Sequence, residues 1–174
     1  PIYNIQDKDQ SLINRLFTSL YRIRRVELEV ARVYPTDVIK SPVHLSVGQE
    51  FISVAVCDVL NLSDIVFGSY RGHALYLAKG GDLKAMLAEL YGKLDGCCRG
   101  KGGSMHLADK SVNMMGTSAI VATTIPEAVG YALAIKYRSS NQLVACFFGD
   151  GATSEGVFHE SLNFASLKKL PILF

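Results

Sequence analysis

Leu143–Leu170 reads LVACFFGDGATSEGVFHESLNFASLKKL, and its reading decides the fold. Leu143 to Phe148 is a short, continuous apolar run, the pattern of a strand buried on both faces. The run stops at Gly149-Asp150-Gly151, and a helix-compatible segment follows at once. Ser154 is expected to cap that helix, with Glu155 in its first turn, where negative charge is favoured. Val157, Phe158, Leu162, Ala165 and Leu167 then recur at helical spacing until Pro171 closes the segment. A strand that empties through glycines into a helix N-terminus offers free N–H groups and a dipole to an anion. Asp150 would repel a bare phosphate, so a cation is needed between them. Mg²⁺ suits that role, because it takes carboxylate and phosphate oxygens in one octahedral shell. The turn therefore has two readings. Either a diphosphate is held here through a metal, or Asp150 merely satisfies backbone N–H groups in a tight turn.

The chain has 174 residues, enough for one domain or part of one with a substantial core. Its hydrophobic content is 49% and its charged content 20%, as in an ordinary globular chain. A net charge of +2 gives no reason to invoke nucleic acid or a membrane surface. No apolar run is long enough to span a bilayer, and none reads as a signal peptide. Cys57, Cys97, Cys98 and Cys146 show no C-x-x-C spacing, which argues against a zinc site or a disulfide framework and fits a reducing compartment. The start at Pro1, and the stop at Phe174 inside what reads as a new strand, lead us to expect the N-terminal portion of a longer chain.

Asp9 to Tyr34 is expected to be one long helix with an apolar stripe of Leu12, Leu16, Leu20 and Ile23. Its Arg22, Arg24, Arg25, Glu27 and Glu29 read as a solvated face. Ser46-Val47-Gly48-Gln49 has the form of a capping box opening a helix to about Leu60, with His44 in the loop before it. Ile65 to Ser69 reads as a strand that delivers Tyr70-Arg71-Gly72-His73. An Arg at a strand's end can pair with phosphate bidentately, or simply lie on the surface. Gly80-Gly81-Asp82 is a turn and N-cap before a helix from Leu83 to Tyr91. The connector from Gly92 to Met115 carries Gly100-Lys101-Gly102-Gly103-Ser104-Met105-His106, which lacks the G-K-[ST] ending of a nucleotide-hydrolysing P-loop. A helix from Glu127 to Tyr137, entered through Pro126, is small or apolar on nearly every face and is expected to be deeply packed. Strands alternating with helices give an α/β fold: a parallel sheet covered by helices on both faces.

The order of these motifs resembles that of the alpha subunit of the thiamine-diphosphate-dependent decarboxylase component of 2-oxo acid dehydrogenase complexes. The motifs are Tyr70-Arg71-Gly72-His73, the stretch Gly100–His106, Ala119-Ile120-Val121 with Ile125-Pro126, and Gly149-Asp150-Gly151-Ala152. Pyruvate, branched-chain 2-oxo acid and acetoin dehydrogenases form that group, and the resemblance runs from the first helix to Phe174. It implies a truncated thiamine-diphosphate-binding fold, with residues 1–45 as a helical arm and 46–174 as the cofactor-binding part of one domain. It makes Asp150 a Mg²⁺ ligand, with Gly151 and Ala152 against the diphosphate and Tyr70 and Arg71 at the same end. Ala119 and Val121 match the segment that meets the aminopyrimidine, and His44 matches a histidine at the substrate end acting as general acid or base. Ser118, Ile120, Thr123 and Thr124 overlie a loop that binds K⁺ in the branched-chain members.

The implied reaction is oxidative decarboxylation of a 2-oxo acid, with acyl transfer to a lipoyl group on an acyltransferase. It needs a beta subunit, which supplies the glutamate that activates the cofactor. The implied compartment is the cytoplasm, or the mitochondrial matrix in a eukaryote. Ala119 stands where pyruvate-type members usually carry Gly, and a backbone contact there survives only if φ is negative. Thr123-Thr124 departs from the usual Ala-Gln or Thr-Gln. The family's second Mg²⁺ ligand, an Asn, falls beyond Phe174, so the 174-residue chain alone is expected to bind thiamine diphosphate poorly. A transketolase-like carboligase and a non-catalytic subunit acting only in association are the alternative readings.

Overall fold

The computed structural model describes residues 9–174. The first eight residues of the expected arm lie outside the described residues. The first helix, α1 (Gln10–Val33), is capped by Asp9, whose carboxylate accepts from Ser11 N at 2.8 Å. Next come α2 (Glu50–Val59), β1 (Ile65–Ser69), α3 (His73–Ala78) and α4 (Leu83–Leu90). Asp82 caps α4 by accepting from Lys84 N and Ala85 N. The glycine-rich connector leads to β2 (Met114–Ser118), followed by α5 (Thr124–Tyr137) and β3 (Val144–Cys146). The described chain closes with α6 (Gly156–Lys168) and β4 (Ile172–Leu173). Among the described residues no helix is long and apolar enough to cross a membrane.

The strands form one parallel sheet in the order β2-β1-β3-β4. Its two faces bury different residues, as the two-residue period of a strand requires. Val66 and Ala145 point into a core with Ile23, Val30, Leu75, Tyr76, Met86 and Leu90 from α1, α3 and α4. Ile65, Phe67, Val144 and Cys146 point the other way, onto Ile125, Ala128, Ala132 and Ile135 of α5 and Val157 and Phe158 of α6. Each large aliphatic or aromatic side chain sealed in either core contributes roughly 1.5–3 kcal/mol. The expected α/β architecture, with helices on both faces, is present.

Several local expectations are corrected. The strand expected over Leu143–Phe148 is regular only over Val144–Cys146; Leu143 and Phe147 each make one more backbone bond to β1, and Phe148 already belongs to the Gly149 loop. Ser154 does not cap α6. It ends a 3₁₀ turn, Asp150–Ser154, and Glu155 takes the N-cap position without a side-chain bond. The capping box is absent too: Ser46 Oγ donates to the carbonyl of Arg71, and α2 begins at Glu50, whose own carboxylate accepts from Gly48 N. β2 lies within what the sequence offered as connector and its margin, since Met-Met-Gly-Thr-Ser has neither alternation nor a β-branched run. The helix α5 buries only one face, while Glu127, Gly130, Tyr131, Ala134 and Tyr137 remain exposed. Glu27, expected on a solvated face, is fully buried, and Arg24 reaches across to Glu50 as an ion pair.

Candidate cofactor cleft

All strands of a parallel sheet end at the same edge, so Tyr70, Ala119 and Phe147 leave β1, β2 and β3 on one side of the molecule. After β1 the chain turns to the face covered by α3 and α4, and after β3 it turns to the opposite face with α6. Neighbouring strands whose connections diverge in this way leave a crevice between their carboxyl ends, the usual ligand site of such sheets. The crevice here is a cleft of about 470 Å³. Ser69, Tyr70 and Arg71 form one wall, Phe147, Phe148, Gly149 and Asp150 the other, and Phe174 lies at its edge.

The charged groups of the cleft are unusual in what they lack. Arg71 donates to the carbonyl of Leu45 and lies 6.0 Å from the Tyr70 ring centroid, but pairs with no carboxylate among the described residues. The Asp150 carboxylate has no hydrogen-bond partner among them and is exposed, and the only bonds at this residue involve its backbone. The reading of Asp150 as a carboxylate spent on backbone N–H groups is therefore not what the turn displays. A Cβ built on Gly149 or Gly151 would meet nothing within 4 Å, so the backbone there is open to close approach. A cleft with an unpaired guanidinium on one wall and an unpaired carboxylate on the other suits an anion that carries its own cation. A Mg²⁺ diphosphate fits that donor set.

The other expected residues lie around this cleft. His44 does not line it; its ring packs edge-on against Tyr70, centroids 4.7 Å apart, and its Nδ1 is buried without a partner. Ala152 is buried beneath the 3₁₀ turn at 2% exposure, and Gly151 is exposed above it. Ala119 and Val121 lie in the loop after β2, outside the cleft wall, with Val121 45% exposed. Ala119 is not among the residues with positive φ, so the alanine fits its backbone; Ala122 takes the left-handed conformation instead, at φ 67°. In the same loop Ile120 N donates to Ser118 Oγ at 3.1 Å, and Thr123 Oγ1 donates to the Ile120 carbonyl at 2.9 Å. Each of those three oxygens thus has one hydrogen-bond partner within the loop.

Sequence reasoning missed Gln49 and Ser53 of the α2 side, which line the cleft because α2 is packed against α1 and α3 beside it. It also left the glycine-rich connector open, and there the structure is plain. Glu89, fully buried, accepts from Cys98 N and Gly100 N through Oε2 and from Gly102 N and Gly103 N through Oε1. Ligand atoms of Glu89, Cys97 and Cys98 lie within 4.8 Å of one another. The four N–H groups already occupy the carboxylate, so this group is a clamp on the loop and not a cation site.

The family model described as dehydrogenase E1 component matches residues 18–174. The alpha subunit of acetoin:2,6-dichlorophenolindophenol oxidoreductase from Bacillus subtilis (strain 168) is 42% identical over 159 residues, covering 91% of this chain and 48% of the relative. The mitochondrial pyruvate dehydrogenase E1 component subunit alpha-1 of Oryza sativa subsp. japonica is 40% identical over 157 residues, 90% of this chain and 40% of the relative. The testis-specific mitochondrial pyruvate dehydrogenase E1 component subunit alpha of Rattus norvegicus is 36% identical over 174 residues, 100% of this chain and 44% of the relative. The chain thus spans about half the length, or less, of these relatives.

Proposed function

The chain belongs to the dehydrogenase E1 component family, and from that premise and the cleft we propose that it forms the cofactor-binding part of an alpha subunit acting in a decarboxylating 2-oxo acid dehydrogenase. In this reading residues 1–45 are an arm and 46–174 the α/β part of one domain. The cofactor is Mg²⁺-bound thiamine diphosphate, which when bound supplies the carbanion stabilisation that decarboxylation of a 2-oxo acid needs. The observation that carries the reading is the pair of unspent charges, Arg71 and Asp150, on opposite walls of one cleft.

Asp150 holds the metal, and Gly151 and Ala152 let the diphosphate approach the backbone. Arg71 takes the anionic end, with Tyr70 against it. The apolar side chains of Phe147, Phe148 and Phe174 line the same cleft and lower its dielectric, which strengthens both charge contacts. Ala119 and Val121 support the cofactor's ring, and Ser118, Ile120, Thr123 and Thr124 are the candidate K⁺ loop. His44 handles substrate protons. A beta subunit completes the site, and a lipoyl group on an acyltransferase receives the acyl fragment. The compartment follows the source: bacterial cytoplasm, or an organelle as in the relatives whose names say mitochondrial or chloroplastic.

The test is 2-oxo acid-dependent reduction of an artificial electron acceptor by the full-length chain with its beta subunit. Turnover with pyruvate or a branched-chain 2-oxo acid is the expected result, and none with either, or with acetoin, would sink the reading. A second substrate has specific support. Two relatives, at 42% and 39% identity, carry names that specify acetoin, so cleavage of that hydroxyketone is the outcome to compare with pyruvate turnover.

A further inference from the structure

Glu27, His73 and Ser104 are each 0% exposed, yet they come from α1, the start of α3 and the glycine-rich connector. His73 Nδ1 lies 3.1 Å from Glu27 Oε2, and His73 Nε2 lies 2.8 Å from Ser104 Oγ. A carboxylate only accepts, so Nδ1 carries the proton and Nε2 accepts from the Ser104 hydroxyl. The residue types are those of a hydrolytic triad. With no exposure at any member, no substrate reaches the serine, and a nucleophilic role is ruled out.

The carboxylate's second oxygen shows what the network does. Glu27 Oε1 accepts from Ser46 N at 3.2 Å, and Ser46 Oγ donates to the Arg71 carbonyl at 3.3 Å. One step on either side, Arg71 donates to the carbonyl of Leu45, and His44 packs edge-on against Tyr70. At the far end Ser104 N donates to Ser41 Oγ at 3.0 Å. A single buried carboxylate therefore ties the 41–46 loop, which carries His44, to the turn that carries Tyr70 and Arg71. We propose that Glu27 is a positioning residue: it sets His44 and the Tyr70-Arg71 pair against each other, and so sets the affinity of the cleft for its diphosphate ligand. The inference rests on the cofactor reading above for its ligand, but not for its geometry.

Two substitutions in the full-length chain with its partner test it. Glu27→Leu removes both acceptors; Glu27→Gln keeps the shape, with its oxygen facing Ser46 N and its amide nitrogen facing the histidine. The Gln nitrogen can only donate, so His73 must move its proton to Nε2. Calorimetric titration with thiamine diphosphate and Mg²⁺, below the melting transition, should show Glu27→Leu weaker by tenfold or more and Glu27→Gln by about threefold. Without ligand, hydrogen exchange at the amides of Ser46 and of residues 70–73 should rise together in Glu27→Leu. The ¹⁵N spectrum of His73 should report Nδ1–H in the parent and Nε2–H in Glu27→Gln. A merely structural glutamate would lower the melting temperature and leave ligand affinity and exchange at 70–73 unchanged, which overturns the proposal. If Glu27→Leu does not fold, the Gln variant decides: an unmoved tautomer with unchanged affinity overturns it. If the parent binds no thiamine diphosphate, the cofactor reading fails alone, and the exchange result still decides the coupling.

Discussion

Two glycine-rich turns in this chain each have a carboxylate beside them, and the two carboxylates do opposite things. At the connector after α4, Glu89 of that helix is sealed from solvent and gives both oxygens to four of the connector's backbone N–H groups. At the end of β3, Asp150 is exposed and, among the described residues, gives its side chain to none. The glycines differ in the same sense. A Cβ on Gly102 would sit 2.1 Å from the His106 carbonyl oxygen, whereas one on Gly149 or Gly151 would meet nothing within 4 Å. Glycine content alone therefore says little about ligand binding. What distinguishes a binding turn is an unspent charge with unfilled space beside it; a turn whose charge and space are both used by the protein is a brace.

Replacing Glu89 gives the largest expected effect on stability. Glu89→Ala leaves four N–H groups without their acceptor inside the fold, and we expect a loss of roughly 3–5 kcal/mol by denaturant unfolding. The acid limb has a defined sign. Burial acts to raise the Glu89 carboxyl, and the N–H groups of Gly100, Cys98, Gly102 and Gly103 overcome it, holding it below its ordinary 4.5. A carboxyl depressed on folding stabilises fully above that ordinary value, and the contribution is lost as pH falls below it. The parent should lose this stability on acidification and Glu89→Ala should not. A cost under about 1 kcal/mol would erase the contrast with Asp150.

Asp150→Asn is the mirror experiment. With no protein partner to lose, its melting temperature should stay within about 2 °C of the parent, as for surface changes in general. In the full-length chain, Mg²⁺-dependent binding of thiamine diphosphate should weaken about 100-fold, or about 2.8 kcal/mol. An affinity unchanged by the substitution would remove Asp150 from the metal site. A large loss of stability would make it a brace like Glu89.

The sequence made some of this contrast legible. Most of the order of strands and helices, the Asp82 cap and the turn at Gly149 are local signals, written in apolar runs and capping residues within a few positions of one another. What failed was whatever depends on a distant partner. Ser46 looks like a cap until Arg71, 25 residues on, takes its hydroxyl. Glu27 looks solvated among its Arg and Glu neighbours until His73, 46 residues on, buries it. β2 is held by its ladder to β1 and carries no strong strand propensity of its own. The cleft itself was half legible: Tyr70, Arg71 and Asp150 were named from motifs, but Gln49 and Ser53 enter through helix packing that no motif records.

A pair of glycine substitutions separates the two turns by space alone. Gly102→Ala must push its new methyl against the backbone at His106, and strain of that kind costs about 1–3 kcal/mol. Gly151→Ala has room and no positive φ, so its unfolding free energy should stay within about 0.5 kcal/mol of the parent. The added methyl would instead occupy the approach of the diphosphate, and binding should weaken about tenfold, near 1.4 kcal/mol. If Gly151→Ala proved the more destabilised of the two, the open turn would have to be packed against something outside residues 9–174.

The smallest expected effect tests whether the Glu89 clamp reaches the thiols it holds. Cys98 donates its backbone N–H to Glu89, and the Cys97 thiol, donating to the Cys98 sulfur, brings Cys98 down to about 7. The same hydrogen bond and burial push Cys97 up. Burial drives Cys57 to about 11 and Cys146 to about 12. The thiolate is the nucleophile, so Cys98, whose thiol is lowered, should react ahead of Cys57, whose thiol burial raises. Iodoacetamide labelling read by peptide mass should therefore modify Cys98 first, with a rate that rises through pH 7 and levels off above pH 8. Cys97→Ala should carry the midpoint back toward the ordinary thiol range. The negative charge of Glu89 works against the Cys98 thiolate, so Glu89→Gln should move the midpoint lower, while Asp150→Asn leaves it where it was. An equal shift in both variants would mean that the two carboxylates do not act as separately as their hydrogen bonds imply.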